Sequence, residues 1–307
     1  MNRRAWIQFG FLAAFWGASY LFIKVALDDG VGPAPIVFAR TALAALVLLP
    51  LALRLGALGG LRGQVGPILV LALIQVAAPF MLISVGEQDL PSSLTGILVA
   101  TAPIFTFLLA FALSGEERAG TVSLAGVGIG VAGVGLLLGV DAGGGTAALV
   151  GGLLVVLASL GYGLGAWYLK RNIHGVEPVG VVAATMAASA LMVAPLAVID
   201  LPSQAPALDA VVSLVALGVL GTGVSFVLYY SLIASVGPAR ASLVAYVAPG
   251  FSVIYGVTLL DEAFTWATAA GLVLIVGGSW LAAEGRPPWR RSEPAVEAAP
   301  APEAARA

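Results

Sequence analysis

The sequence predicts an all-α membrane protein of ten transmembrane helices arranged as two inverted five-helix repeats. Three observations carry that reading. Only 10% of the 307 residues are charged and 60% are hydrophobic, with a mean hydropathy of +1.03, whereas a soluble domain carries about 25% charge. Apolar runs near the length that crosses a bilayer, about 20 residues, recur from end to end. Features of the first half also return in the second at a fixed spacing.

The runs fall at 6–27, 35–53, 67–86, 92–114, 121–140, 148–169, 178–199, 210–235, 239–260 and 264–283. Gly, Pro and acidic clusters separate them: DDGVGPAP (28–35), EQDLPSS (87–93), GEERAG (115–120), DAGGGTAA (141–148), DLPSQAPALD (200–209) and DEAFT (261–265). Runs this long, apolar on all sides, are not barrel strands, which are about ten residues of alternating polarity. In hydrocarbon they must be helical, because only a helix pairs its backbone groups internally. The first run follows Arg3 and Arg4 as a signal peptide would, but it ends in KVALDD and not at a small-residue cleavage site, so it reads as a retained helix. The Pro/Ala/Glu/Arg-rich stretch 284–307 reads as a disordered cytoplasmic tail.

Lys and Arg concentrate in cytoplasmic loops. With the N-terminus inside, twelve of the fourteen fall on the inner side: Arg3, Arg4, Arg54, Arg62, Arg118, Lys170, Arg171, Arg240, Arg286, Arg290, Arg291 and Arg306. Lys24 and Arg40 alone lie toward the outer side. Both termini are therefore expected in the cytoplasm, with the chain as a multi-pass protein of a bacterial-type inner (plasma) membrane.

An offset of 146 residues pairs Gly17 with Gly163, Lys24 with Lys170, Phe80 with Phe226, Pro103 with Pro249, Phe105 with Phe251, Leu113 with Leu259 and Glu116 with Glu262. With a one-residue gap, Gly126 and Gly133 meet Gly271 and Gly278. The repeats are thus expected at 6–140 and 148–283. Five is odd, so the second enters the membrane from the opposite side. Inverted repeats suit alternating access, with a site near the midplane where the halves meet.

Half one carries FWGASYLFIKVAL (15–27), PIVFARTALAALVLLP (35–50), LVATAPIFTFLLAFALSGEE (98–117) and GVGIGVAGVGLLL (126–138). Half two carries GVLGTGVSFVLYYSLIASVGPARASLVAYVAPGFSVIYGVTLLDEAFT (218–265) and GLVLIVGGSWL (271–281). These segments resemble the paired EamA domains of the drug/metabolite transporter superfamily over about residues 8–283. The resemblance implies ten helices, cytoplasmic termini and a central cavity lined by helices one to four and six to nine. It also implies helices five and ten at the periphery, and export of small metabolites such as amino acids.

Several residue types point to a transport pathway. Trp16 and its repeat mate Tyr162 lie deep in their helices, away from the interfacial belt where such rings gather. Rings of this kind stack on a substrate and offer one hydrogen bond each. Tyr246 adds a hydroxyl at similar depth, and Tyr20, Tyr229 and Tyr230 add others; helix packing is the competing reading. Proline deletes the bond to the carbonyl four residues back. Pro103, Pro249 and Pro79 would therefore free the carbonyls of Val99, Ala245 and Gln75, either as hinges or as cavity lining; Ser225 stands at the repeat position of Pro79. Lys24 and Arg40 could capture a carboxylate, although Lys24 is also placed to snorkel to Asp28. Glu87, Glu116 and Glu262 stand at helix ends as candidate gating contacts or plain surface charges. The Gly-rich helix five (126–135) permits close helix packing, within the chain or in a homodimer.

Some classes are disfavoured by inventory. The chain has no Cys and one His, His174, too few for His-based catalysis or thiolate metal binding. No enzyme, metal or cofactor is expected, and no nucleic-acid partner. No nucleotide-binding loop is present. No Asp or Glu falls deep within a run, which argues against a proton-driven cation pump and favours a neutral or zwitterionic substrate. Coupling would fall to a helix-end acid, Glu87 first. The expected partners are a small-molecule substrate and membrane lipids, and the expected state is a monomer or homodimer. A passive channel or a flippase for a lipid-linked or drug-like substrate is the alternative.

Overall fold

The computed structural model describes residues 1–114, 120–141 and 145–284. Among them every regular element is helical. Nine helices are long and apolar enough to cross a membrane: α1 (Arg3–Asp28), α2 (Pro33–Arg54), α3 (Gly59–Gly86), α4 (Ser92–Leu113), α5 (Thr121–Val140), α6 (Gly145–Asn172), α7 (Pro178–Ile199), α8 (Leu208–Val236) and α10 (Trp266–Glu284). The tenth, α9 (Val244–Leu259), is shorter and follows a single helical turn, Pro238–Ala241. The ninth predicted run is thus two pieces, divided at Ser242 and Leu243.

Small side chains fill many helix contacts while numerous large ones face outward. Leu46, Leu191, Ile199 and Val273 point outward, while Ala13, Ala44, Ala148, Ser159, Ser189 and Ser279 are buried. Lipid tails are as apolar as Leu, so helices gain little by hiding large side chains and pack instead through small ones. The glycines of α5 show where this leads. A methyl at Gly126 would lie 2.5 Å from the Ala282 nitrogen and 2.7 Å from the Gly278 oxygen. The Gly-rich face of α5 is therefore spent inside the chain, against α10.

The helices pair across the two halves. α2 lies on α7, α5 on α10 and α4 on α9; α1 packs on α8 and α9, and α6 on α3 and α4. Exchanging the first five helices with the last five leaves this pattern unchanged. Residues repeat it as well. A Cβ at Gly17 would meet the Phe251 Cβ at 2.5 Å and the Ala248 oxygen at 2.7 Å. At Gly163 it would meet the Thr106 nitrogen at 2.9 Å and the Phe105 carbonyl carbon at 3.0 Å. Each glycine admits the other half's phenylalanine segment, so α1–α9 and α6–α4 close on matching contacts.

Candidate substrate site and distal mouth

Arg40 is placed by α2 at the centre of the candidate site. Its guanidinium lies 3.7 Å above the centre of the Phe80 ring, and its Nε donates to Thr222 Oγ1 at 2.9 Å. Thr222 belongs to a π-helical stretch of α8, Val219–Val224, where its hydroxyl donates to the Leu217 carbonyl five residues back at 3.0 Å. Among the described residues no carboxylate forms an ion pair with Arg40. Tyr20 of α1, Tyr162 of α6 and Glu87 are the ionisable groups within its electrostatic reach. The two tyrosines pack on one core of Ile23, Ile36, Ile83 and Leu217.

A file of rings leads from there toward the end of the bundle where α1 begins. Trp16 meets Tyr229 at 5.3 Å between centroids, Tyr229 meets Tyr230 at 6.1 Å, and Tyr230 meets Phe226 at 6.3 Å. Tyr230, Phe226 and Tyr162 share the core that contains Phe80 and Met186. Trp16, Tyr229, Tyr230, Tyr162 and Tyr20 thus border connected cores. Tyr246 departs from the expectation. It packs on Trp280 of α10 at 5.3 Å. Gln75 lies against Gly165 of α6.

The prolines interrupt helices without leaving bare carbonyls where hydroxyls reach. α4 divides into Ser92–Val99 and Ala102–Ser114 just ahead of Pro103. The Val99 oxygen, read from the sequence as freed for a hinge or for cavity lining, accepts from Ser159 Oγ of α6 at 3.3 Å. The next one, of Ala100, accepts from Ser279 Oγ of α10 at 2.6 Å. Pro249 lies within α9. Pro79 follows a π-helical stretch in α3, Ala72–Ala77, whose Ala72 oxygen accepts from Ser189 Oγ of α7 at 3.1 Å. Its counterpart in α8 has no proline; Ser225 Oγ donates to the Leu220 oxygen at 2.7 Å instead. Thr222, Ser225, Ser159 and Ser279 carry this geometry and were not singled out by sequence. Their one signal is a hydroxyl among purely apolar neighbours.

The loops at the opposite, distal end are tied across the halves by acids. Lys24 Nζ lies 3.4 Å from Asp28 Oδ1 and donates to the Glu87 carbonyl oxygen at 3.3 Å, so the snorkelling arrangement is present. Glu262 Oε1 accepts from the Ser92 backbone N–H at 2.6 Å, and its Oε2 from that of Ser93 at 3.0 Å, capping α4. Asp200 Oδ2 accepts from the Ala34 N–H at 3.2 Å, capping α2. Asp29 Oδ2 accepts from the Ala207 N–H at 2.8 Å, at the start of α8. A carboxylate at a helix N-terminus meets unpaired N–H groups and the positive end of the dipole. All three caps join one half to the other, and Glu262 is a helix-end contact of this kind. Glu116 lies outside the described residues.

Glu87 keeps to a helix end, as the sequence has it, but not to the surface. It stands one residue beyond α3, yet is fully buried, and both carboxylate oxygens lack a hydrogen-bond partner. The Ser92 and Ser93 hydroxyls nearby are buried and unpartnered too. Burial pushes the Glu87 carboxyl well above its ordinary range; Lys24 opposes that shift and Glu262 adds to it. A helix end is a position in sequence, whereas burial depends on what covers it.

Residues 4–139 and 149–283 each match the model of the EamA-like transporter family. The chain belongs to that family. EamA-like proteins are transporters and not enzymes, and this one is a multi-pass membrane protein by its helices. It is 28% identical over 257 residues to the uncharacterized inner membrane transporter YedA of Escherichia coli K12, covering 82% of this chain and 81% of that one. It is 24% identical over 276 residues to the uncharacterized transporter YoaV of Bacillus subtilis, covering 87% and 92%. A probable terminal-alkyne amino-acid exporter of Streptantibioticus cattleyicolor is 26% identical over 252 residues, covering 80% and 82%. A solved crystal structure shares the fold at a TM-score of 0.66 and 24% identity, covering 92% of this chain and 97% of that one.

Proposed function

We propose that this protein exports small polar metabolites bearing a carboxylate, amino acids foremost, by alternating access of two inverted halves, 6–140 and 148–283. The observation that carries the reading is Arg40: a guanidinium inside the bundle, held at Nε by Thr222 and over Phe80, with no carboxylate of its own. A charge within a span is costly and is kept where it meets a partner. A substrate carboxylate is a partner suited to the planar donor fork of Arg, and Tyr20 and Tyr162 bring hydroxyls close by. Trp16, Tyr229 and Tyr230 continue the pathway toward the termini, with Gln75 at its edge. The amino-acid exporter among the relatives agrees with this substrate class, and the packing pattern, unchanged on exchanging the halves, agrees with inverted repeats.

In this reading the termini are cytoplasmic and the distal mouth, stitched by Asp29, Asp200 and Glu262, is outer and closed. Pro79, Pro103 and Pro249 are where α3, α4 and α9 bend as the halves rock. Purified protein is tested against an amino-acid panel for thermal stabilisation and in proteoliposomes for counterflow. Arg40→Lys keeps the charge but loses the fork, about 1.5–3 kcal/mol or roughly 10–100-fold in affinity, with the unliganded melting temperature held. Saturable counterflow supports the exporter; flux that never saturates identifies a passive channel, and no flux with any pool removes the reading.

A further inference from the structure

We propose that Glu87 is a proton-binding site of the distal mouth, protonated while that mouth is closed and giving its proton to water when the mouth opens. The geometry carries it. The side chain is fully buried, and neither carboxylate oxygen accepts a hydrogen bond. An ionised carboxylate in that state has lost its water and gained nothing, a cost met by taking up a proton.

The groups facing it leave no substitute. Lys24 and Asp28 approach from α1, Arg40 from α2 and Glu262 from the α9–α10 connection. Lys24 gives its hydrogen bond to the Glu87 main-chain oxygen and its ion pair to Asp28. Glu262 is committed to Ser92 and Ser93. On α4 the hydroxyls of those serines are buried and give Glu87 no hydrogen bond, and α6 meets the end of α3 through Gly151 and Val155, which bring no charge. In this proposal Glu87 stays covered while Glu262 holds the start of α4 and is uncovered when that cap breaks. Opening admits water, and the carboxyl then ionises: one proton leaves Glu87 for water, and the same proton returns on closing.

The sign follows. The closed fold binds one proton more than the unfolded chain, so its contribution is complete below the ordinary Glu value of about 4.3 and is lost as pH rises through the raised value. The chain has no Cys, so one cysteine reports the mouth. Val31, buried in the α1–α2 loop, is replaced (Val31→Cys), and its alkylation rate, divided by that of a free thiol at the same pH because the reactive thiolate itself increases with pH, is followed in purified full-length protein, alongside the melting temperature.

With Glu87 present, labelling accelerates by up to about tenfold per pH unit until the carboxyl is ionised, while the melting temperature falls over the same interval. In Glu87→Gln both profiles are flat and labelling is slow. Lys24→Met, which removes the opposing cation, moves the transition to higher pH and serves equally if the Gln variant does not fold. Unchanged profiles in both variants overturn the proposal. So does a dependence on sodium against choline at fixed pH, which would make the site a metal-cation site. Loss of substrate binding in a folded Glu87→Gln protein, read as no thermal stabilisation by an amino acid that stabilises the parent, would make Glu87 a substrate ligand and overturn it too. The link to transport rests on the export reading, but neither measurement uses substrate. Flat profiles beside intact counterflow sink this inference alone, and Glu87-dependent profiles without counterflow sink the other.

Discussion

At Gly17 and Gly163 one hydrogen in place of a methyl decides whether the halves can close. Gly17→Ala would put a Cβ 2.5 Å from that of Phe251 and 2.7 Å from the Ala248 backbone oxygen. Backbone cannot give way as a side-chain tip can, so the expected loss is about 1–3 kcal/mol, read as a lower melting temperature in detergent. Gly163→Ala loses less, its nearest contacts being 2.9 and 3.0 Å. Gly10→Ala is the control, with nothing within 4 Å of the new Cβ; there the change gains roughly 0.5–1 kcal/mol of helix propensity. If Gly17→Ala matches Gly10→Ala, the close approach of α1 to α9 is wrong. The sequence pairs Gly17 with Gly163 and Phe105 with Phe251, but not each glycine with the other half's phenylalanine. Identity at a fixed offset reports the repeat; which mates touch depends on how the halves dock. Arg40 was legible as a costly charge. Its hold by Thr222 was not, because that bond spans α2 and α8.

Helix ends show a similar division. The spans stood out because composition changes sharply from apolar run to Gly, Pro and acidic turn, and most observed bounds follow those changes, α3 from Gly59 and α9 from Val244 being the departures. The interruptions within spans did not stand out. The π-helical stretches of α3 and α8 and the break in α4 are supported by hydroxyls from Ser189, Ser225, Ser159 and Ser279, three of them on other helices. The acidic turns were read as separators, yet three of their carboxylates cap helices elsewhere in the chain. Removing such a cap costs about 0.5–2 kcal/mol. Asp29→Ala and Asp200→Ala should each lower the melting temperature by that much and add in the double variant, since they cap different helices. Glu262→Ala should cost most, with two N–H groups left unpaired. Alanine variants that melt like the parent would show the distal mouth to be held by apolar contacts alone.

For the whole molecule, the same few charges carry the expected orientation and the ties of the distal end. The sequence assigns twelve of the fourteen Lys and Arg to the expected cytoplasmic side, while Asp29, Asp200 and Glu262 serve at the distal end as helix caps between halves. With five crossings in the first half, as proposed, a cysteine between the halves faces the opposite side from the N-terminus, and the loop between α6 and α7 returns to the first side. The Cys-free chain allows a direct test: His174→Cys between α6 and α7, Thr146→Cys at the start of α6 and Gln204→Cys between α7 and α8, all at exposed positions. In intact cells a membrane-impermeant maleimide should label Thr146→Cys and Gln204→Cys and spare His174→Cys until the membrane is opened. Labelling of Thr146→Cys and His174→Cys from one side would mean that α6 does not cross. The halves would then run parallel, and the exchange of α1–α9 for α6–α4 would no longer reflect a two-fold axis in the membrane plane. Labelling of His174→Cys alone in intact cells would keep the inversion but reverse the chain, placing Glu87 and its covering caps at the cytoplasmic mouth.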